Sequence, residues 1–253
     1  MTGEDMTIVP TRTGAALAVS ALLLAGCEAA EQPRPAPSTA PSTAAGSTPS
    51  TAAAPAVSEE QQALAAARTA LQEARSYVFH GSRRMGAIKV TADFRMVGGN
   101  TTGTLQMQGR TTKFRTIGKA LYLRPSKDFW PVMIGFERAA AAEREAAGRW
   151  VRMSDYDSTV SRGFGVPVLL ADLRPAGPLV RGRISGTGDD SWVNLTSGTD
   201  RKWRVGILTT GKRYPRFWAT ANSNATITEF DTAFPAIKPP AKADVVTFDE
   251  LSS

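Results

Sequence analysis

One cysteine and one histidine occur in 253 residues, and no apolar run is long enough to span a bilayer. Each scarcity removes a class of answer. Without a second cysteine there is neither an internal disulfide nor a thiolate zinc site, so stability has to come from packing. With one histidine, a Ser-His-Asp triad could only use His80, and no Gly-x-Ser-x-Gly elbow accompanies it. His80 follows the apolar Tyr77 to Phe79 and reads as a structural strand residue. The apolar stretch Gly14 to Ala25 has about a dozen residues, short of the roughly 20 that cross a membrane as a helix.

That short stretch ends at the only cysteine, in Leu24-Ala25-Gly26-Cys27, and Arg12 precedes it. The arrangement is that of a secretory signal peptide rather than a membrane span. The tetrapeptide resembles the lipobox of bacterial lipoproteins. A peptidase needs small side chains at Ala25 and Gly26, and only a thiol can form the thioether to diacylglycerol. Residues 1–26 are then the signal, Cys27 is the lipidated first residue of the mature chain, and two or three acyl chains hold it far better than one. The competing reading is an ordinary secretory signal with a chance cysteine. Acidic Glu4 and Asp5 are atypical of a signal n-region, which leaves Met1 and Met6 as alternative starts.

Residues 27–56 are almost wholly Ala, Pro, Ser and Thr, with too little apolar surface to offset chain ordering. They read as a tether with a mean reach of roughly 30 Å. Residues 57–253 form the folded domain. Taking Arg12 and Arg34 from the 30 basic residues, and Glu4, Asp5, Glu28 and Glu31 from the 23 acidic ones, leaves 28 against 19 in this domain. The excess either only solubilises the outer face of a sheet or favours anionic partners. For an exported, lipid-anchored chain on the outer face of the cytoplasmic membrane these are lipid headgroups or wall polyanions, not nucleic acid.

Ser58, followed by Glu59, Glu60 and Gln61, has the form of a capping box, and Leu64, Ala67, Leu71 and Ala74 recur at helical spacing to about Arg75. From Tyr77 the period becomes two. Ile88, Val90, Ala92, Phe94 and Met96 alternate with Lys89, Thr91, Asp93, Arg95 and Val97, and glycine-containing turns separate further strands at Leu105 to Gln108, Thr112 to Ile117 and Ala120 to Arg124. Helices are expected at Phe136 to Ala147, with Gly148 as the stop, and at Val166 to Leu173, with a short strand Arg149 to Met153 between them. Strands return at Val180 to Thr187, Trp192 to Thr196, Trp203 to Thr209, Arg216 to Ala221 and Thr226 to Asp231. The pattern predicts an α+β domain with one antiparallel sheet of about nine or ten strands.

Catalytic and metal chemistry is poorly served. Glu229 and Asp231 lie two apart in a candidate strand and so share a face, either as paired carboxylates or as a solvated strand edge. Asp155 and Asp157 lack the spacing of a calcium loop, and Gly186-Thr187-Gly188 lacks the helix and lysine of a phosphate loop. No enzyme, metal or cofactor is implied. Trp130, Trp150, Trp192, Trp203 and Trp218 are either core residues or the lining of a ligand mouth.

Three segments carry a family resemblance: GGNTTGTLQMQGRTTKFRTIGKALYLRPSKDFW (Gly98 to Trp130), GRWVRM (Gly148 to Met153) and PPAKADVVTFDEL (Pro239 to Leu251). They resemble the LppX/LprG family of actinobacterial lipoproteins, related in fold to the LolA-type carriers. The resemblance implies a strongly curved antiparallel half-barrel that wraps helices around an apolar cavity for acylated lipid or glycolipid, in a monomer. Combined with the alternation it nominates Ile88, Val90, Phe94, Met96, Leu105, Met107, Phe114 and Leu121 as ligand-binding. The alternative is a non-catalytic envelope interaction or signalling accessory that uses a basic outer face at Lys89, Arg95, Lys113 and Arg115.

Overall fold

The computed structural model describes residues 57–153 and 163–252. The signal segment, the tether with Cys27, and Asp155 and Asp157 lie outside the described residues.

The domain opens with α1 (Glu59–Glu73), which the capping box starts: Ser58 Oγ accepts from the Gln61 amide at 3.2 Å, and Gln61 Oε1 accepts from the Ser58 amide at 3.0 Å. Ala63, Leu64, Ala67, Ala70 and Leu71 are its buried stripe. Strands β1 (Ser76–Met85), β2 (Ile88–Val97), β3 (Asn100–Met107), β4 (Arg110–Ile117) and β5 (Ala120–Pro125) then form an antiparallel meander. The β2–β3 and β3–β4 hairpins turn through Gly98-Gly99 and Gln108-Gly109, all at positive φ, the two-residue geometry that matches strand twist.

A 3-10 turn at Lys127–Phe129 leads into the short α2 (Trp130–Ile134) and then α3 (Phe136–Ala146), which stops at left-handed Ala147 and Gly148. After β6 (Trp150–Met153) come α4 (Val166–Asp172), β7 (Leu179–Ser185), β8 (Trp192–Ser197), β9 (Arg204–Leu208), β10 (Pro215–Ala219) and β11 (Ser223–Thr228). The described chain closes with β12 (Val245–Thr247) and α5 (Phe248–Ser252).

All twelve strands belong to one curled, unclosed sheet in the order β12-β6-β5-β4-β3-β2-β1-β11-β10-β9-β8-β7. Every described pairing is antiparallel except β12 on β6, where Val245 to Thr247 lie beside Trp150 to Arg152 in the same direction. The fold is α+β, as the change of period predicts, but with twelve strands rather than nine or ten.

Between β11 and β12 the chain crosses the outer side of the sheet as a strap. The Asp231 amide donates to the Ser76 carbonyl at 2.9 Å, the Arg95 guanidinium lies over the Phe234 ring at 5.0 Å, and Arg115 donates to the Lys238 carbonyl at 3.2 Å. Ile237, in the strap itself, is buried. The strap covers part of a face that alternation alone marks as wet.

Candidate functional site: an apolar cavity under β2–β6

α1 packs against α4, β7, β9 and β10, which leaves the inner face of β2 to β6 to other elements. Cross-strand neighbours on that face share its direction: Val90 opposite Met107, Leu105 opposite Thr112, Leu121 opposite Met153. The 3-10 turn and α2 close over them with Phe129, Val132 and Met133, α5 adds Phe248, and the end of β1 adds Met85. Together with Ile88 and Leu123 these side chains enclose a cavity of about 550 Å³. That volume lies within the range of about 300–1,000 Å³ usual for small-molecule sites.

Of the thirteen lining residues only Thr112 carries a polar group, and its hydroxyl donates to the Lys113 carbonyl at 3.2 Å. Met85, Ile88, Met107, Val132, Met133 and Phe248 are half-buried, and on their side the cavity is partly open. The mouth therefore lies at the β1–β2 and β3–β4 turns and the end of α2.

Among the nominated side chains, Ile88, Val90, Leu105, Met107 and Leu121 line this cavity. Phe94, Met96 and Phe114 point to the same face but sit in the packed core farther along it, at 5%, 5% and 0% exposure. Aromatic packing takes that space: Phe79 stacks on Phe94 at 4.6 Å, Phe114 meets Phe94 edge-on at 6.1 Å, and Phe164 meets Phe79 at 5.5 Å. A ligand in the described cavity does not reach those three residues. Sequence reasoning passed over Met85, Thr112, Leu123, Phe129, Val132, Met133, Met153 and Phe248; an apolar pair at Val132 and Met133 beside Pro131 was the available signal for the closing helix.

The tryptophans do not line the cavity. Trp130, Trp150, Trp203 and Trp218 are buried, and half-buried Trp192 packs edge-on against Phe217. His80 is exposed on the outer face and pairs with Asp93, its neighbour across β1–β2. Among the described residues no group of three or more His, Cys, Asp and Glu is placed to hold a metal.

Glu229 and Asp231 do not share a strand face, because β11 ends at Thr228 and both residues stand at positive φ in the turn beyond it. Asp231 accepts from the Tyr214 hydroxyl at 2.5 Å, the Arg75 amide at 2.8 Å and Lys212 Nζ at 2.9 Å. The Tyr214 hydroxyl first, then the Arg75 amide and Lys212, lower its carboxyl from 3.8 to about 2. It is a structural clamp between the end of α1, the β9–β10 turn and the strap. Because the folded value lies below the ordinary one, its stabilisation is present above about pH 3.8 and is lost as pH falls towards 2. Asp231→Asn should unfold more easily than the parent at pH 6, and the gap should close by pH 2 in acid titrations followed by circular dichroism.

The basic outer face is divided by the strap. Lys89 and Lys113 are exposed, whereas Arg95 and Arg115 are half-buried against Phe234 and Trp150. Two of the four cations that the interaction alternative relies on are thus engaged within the fold.

No family model and no curated protein matches the chain. Among solved structures it is similar to LprF from Mycobacterium bovis, at 11% identity over 72% of this chain and 98% of that one, with a TM-score of 0.48. It is also similar to the Mycobacterium tuberculosis lipoprotein LppX, at 12% identity over 70% of this chain and 99% of that one, with a TM-score of 0.46. Both are mycobacterial lipoproteins of the LppX/LprG family.

Proposed function

We propose that this chain is an exported lipoprotein, anchored through Cys27, that holds acyl chains of a lipid or glycolipid in the cavity under β2–β6. The observation that carries the reading is the composition of the wall. Four of the seven methionines in the chain, Met85, Met107, Met133 and Met153, converge there, with aliphatic and aromatic neighbours and no free polar group. Flexible, polarisable thioethers repack around variable apolar shapes, which suits acyl chains better than a rigid planar ligand. Burying a ten-carbon segment at about 0.8 kcal/mol per methylene amounts to roughly 8 kcal/mol before association costs. That suffices for micromolar-range binding once the head is held at the mouth.

Native mass spectrometry of the Cys27→Ala chain from an actinobacterial host tests this. The expected spectrum contains protein with co-purifying lipid mass, and Met107→Trp, which fills the cavity from the β3 wall, should cut the lipid-bound fraction several-fold. A clean apo mass in the parent overturns the carrier reading.

A further inference from the structure

The mouth of the cavity has a character of its own. Two hairpin tips flank it, Arg84 to Lys89 between β1 and β2 and Met107 to Thr111 between β3 and β4, and neither contains an acidic residue. Arg84 and Lys89 are exposed, and Arg110 lies over the ring of Phe136 at 5.8 Å. Phe136 starts α3 directly after Gly135, and at 76% exposure it is the only aromatic among the exposed large hydrophobics of the described residues. Gly135 stands at φ 87° in the turn between α2 and α3, and Met133, three residues before Phe136, lines the cavity. An exposed ring with the Arg110 guanidinium over it and Glu137 next to it in the chain, beside two basic hairpin tips without acids at the entrance of an apolar cavity, is a poor surface for water and a good one for a negatively charged interface.

We propose that the two hairpin tips and Phe136 form a docking face for an anionic lipid bilayer, so that the cavity mouth meets the membrane end-on. Charge complementarity selects the occupant: cations beside a bilayer surface are attracted to anionic headgroups, while an aromatic ring seats at the boundary between headgroups and chains. The opposite end of the sheet carries the β4–β5 and β9–β10 turns and lies outside this face. The inference deepens the carrier reading and rests on it only for the purpose of docking, since an empty cavity would leave the surface unchanged.

The test exploits the single cysteine. In the full chain with Cys27→Ala, an added Ala87→Cys at the β1–β2 tip or Thr210→Cys at the far end is the only thiol, and each is labelled with an environment-sensitive dye. Phosphatidylcholine vesicles with phosphatidylglycerol should shift the Ala87→Cys emission to the blue, leave Thr210→Cys unchanged, and do so less at high salt. Arg84→Glu with Arg110→Glu should weaken the response about tenfold or more, Phe136→Ser should abolish the shift, and Lys119→Glu at the far end should leave it intact. Equal shifts at both labels, the same response to phosphatidylcholine alone, no shift at Ala87→Cys, or an equal loss in Lys119→Glu each overturns the proposal. Mass spectrometry separates the two ideas: lipid-loaded protein without tip insertion refutes docking alone, and tip insertion by lipid-free protein refutes the carrier reading alone.

Discussion

Asp172→Ala should cost about 3–5 kcal/mol of stability, because it breaks a buried ion pair by removing one partner. The Asp172 carboxylate pairs with Arg83, with side-chain exposures of 12% and 17%. It also accepts from the Ser223 hydroxyl at 2.8 Å and the Trp218 indole at 3.3 Å, while its backbone carbonyl accepts from the Trp203 indole at 2.8 Å. Arg83 in turn donates to the Gly163 carbonyl at 2.8 Å. This network pins the end of α4 to β1, β10 and β11, and alanine leaves a guanidinium and two further donors buried without an anion. At roughly 2–4 °C per kcal/mol for a domain of this size, the melting temperature should fall by roughly 6–20 °C. Combining Asp172→Leu with Arg83→Met should recover much of the loss, since replacing both partners by apolar groups leaves no uncompensated charge. Thermal melts of the single and double variants check this, and a single-variant loss under about 1 kcal/mol would sink the account.

Where local chemistry decides, the residues announce the structure. Ser58 and Gln61 cap each other as their types predict, and the alternation from Ile88 to Val97 marks β2 from first residue to last. Ala147-Gly148 stops α3 where glycine beyond a helix is expected. Where distance decides, they do not. Val245 to Thr247 is too short to show a period, and its parallel pairing with β6 exists only because the strap carries it across the sheet. The same crossing turns Arg95 and Arg115 from wet-face residues into half-buried ones. α2 spans five residues, less than two helical turns, so no periodicity reveals it, yet it closes the cavity.

The cavity itself was half legible. Alternation assigns a face but not depth along the strand, so Phe94, Met96 and Phe114 carried the same signal as Val90 and Met107. What separates them is packing. Gly103, opposite both Phe94 and Phe114, has no room for a side chain: a Cβ there would lie 2.0 Å from the Asp93 carbonyl and 2.6 Å from Phe94 Cα. The rings settle against each other over that glycine and fill the middle of the face, so open space remains only towards the hairpin tips. Such a division depends on neighbours on three strands and is invisible in any one of them.

Cys27→Ala should have the largest effect of all, on where the protein resides rather than on its fold. A single acyl chain gives marginal, reversible membrane binding, and each further buried methylene adds about 0.8 kcal/mol, so a second chain makes the anchoring stable. The parent should therefore partition into the detergent phase and show a mass equal to residues 27–253 plus its acyl groups. The Cys27→Ala chain should lose that acyl mass and either move to the aqueous phase or accumulate with residues 1–26 still attached. An unmodified Cys27 in the parent, or a detergent partition that the substitution leaves unchanged, would falsify the lipoprotein assignment. Arg84→Glu with Arg110→Glu supplies the contrast, because those cations govern which end of the domain meets the bilayer. Their reversal should leave detergent partition untouched while weakening tip insertion about tenfold or more, separating retention by the anchor from orientation by the mouth.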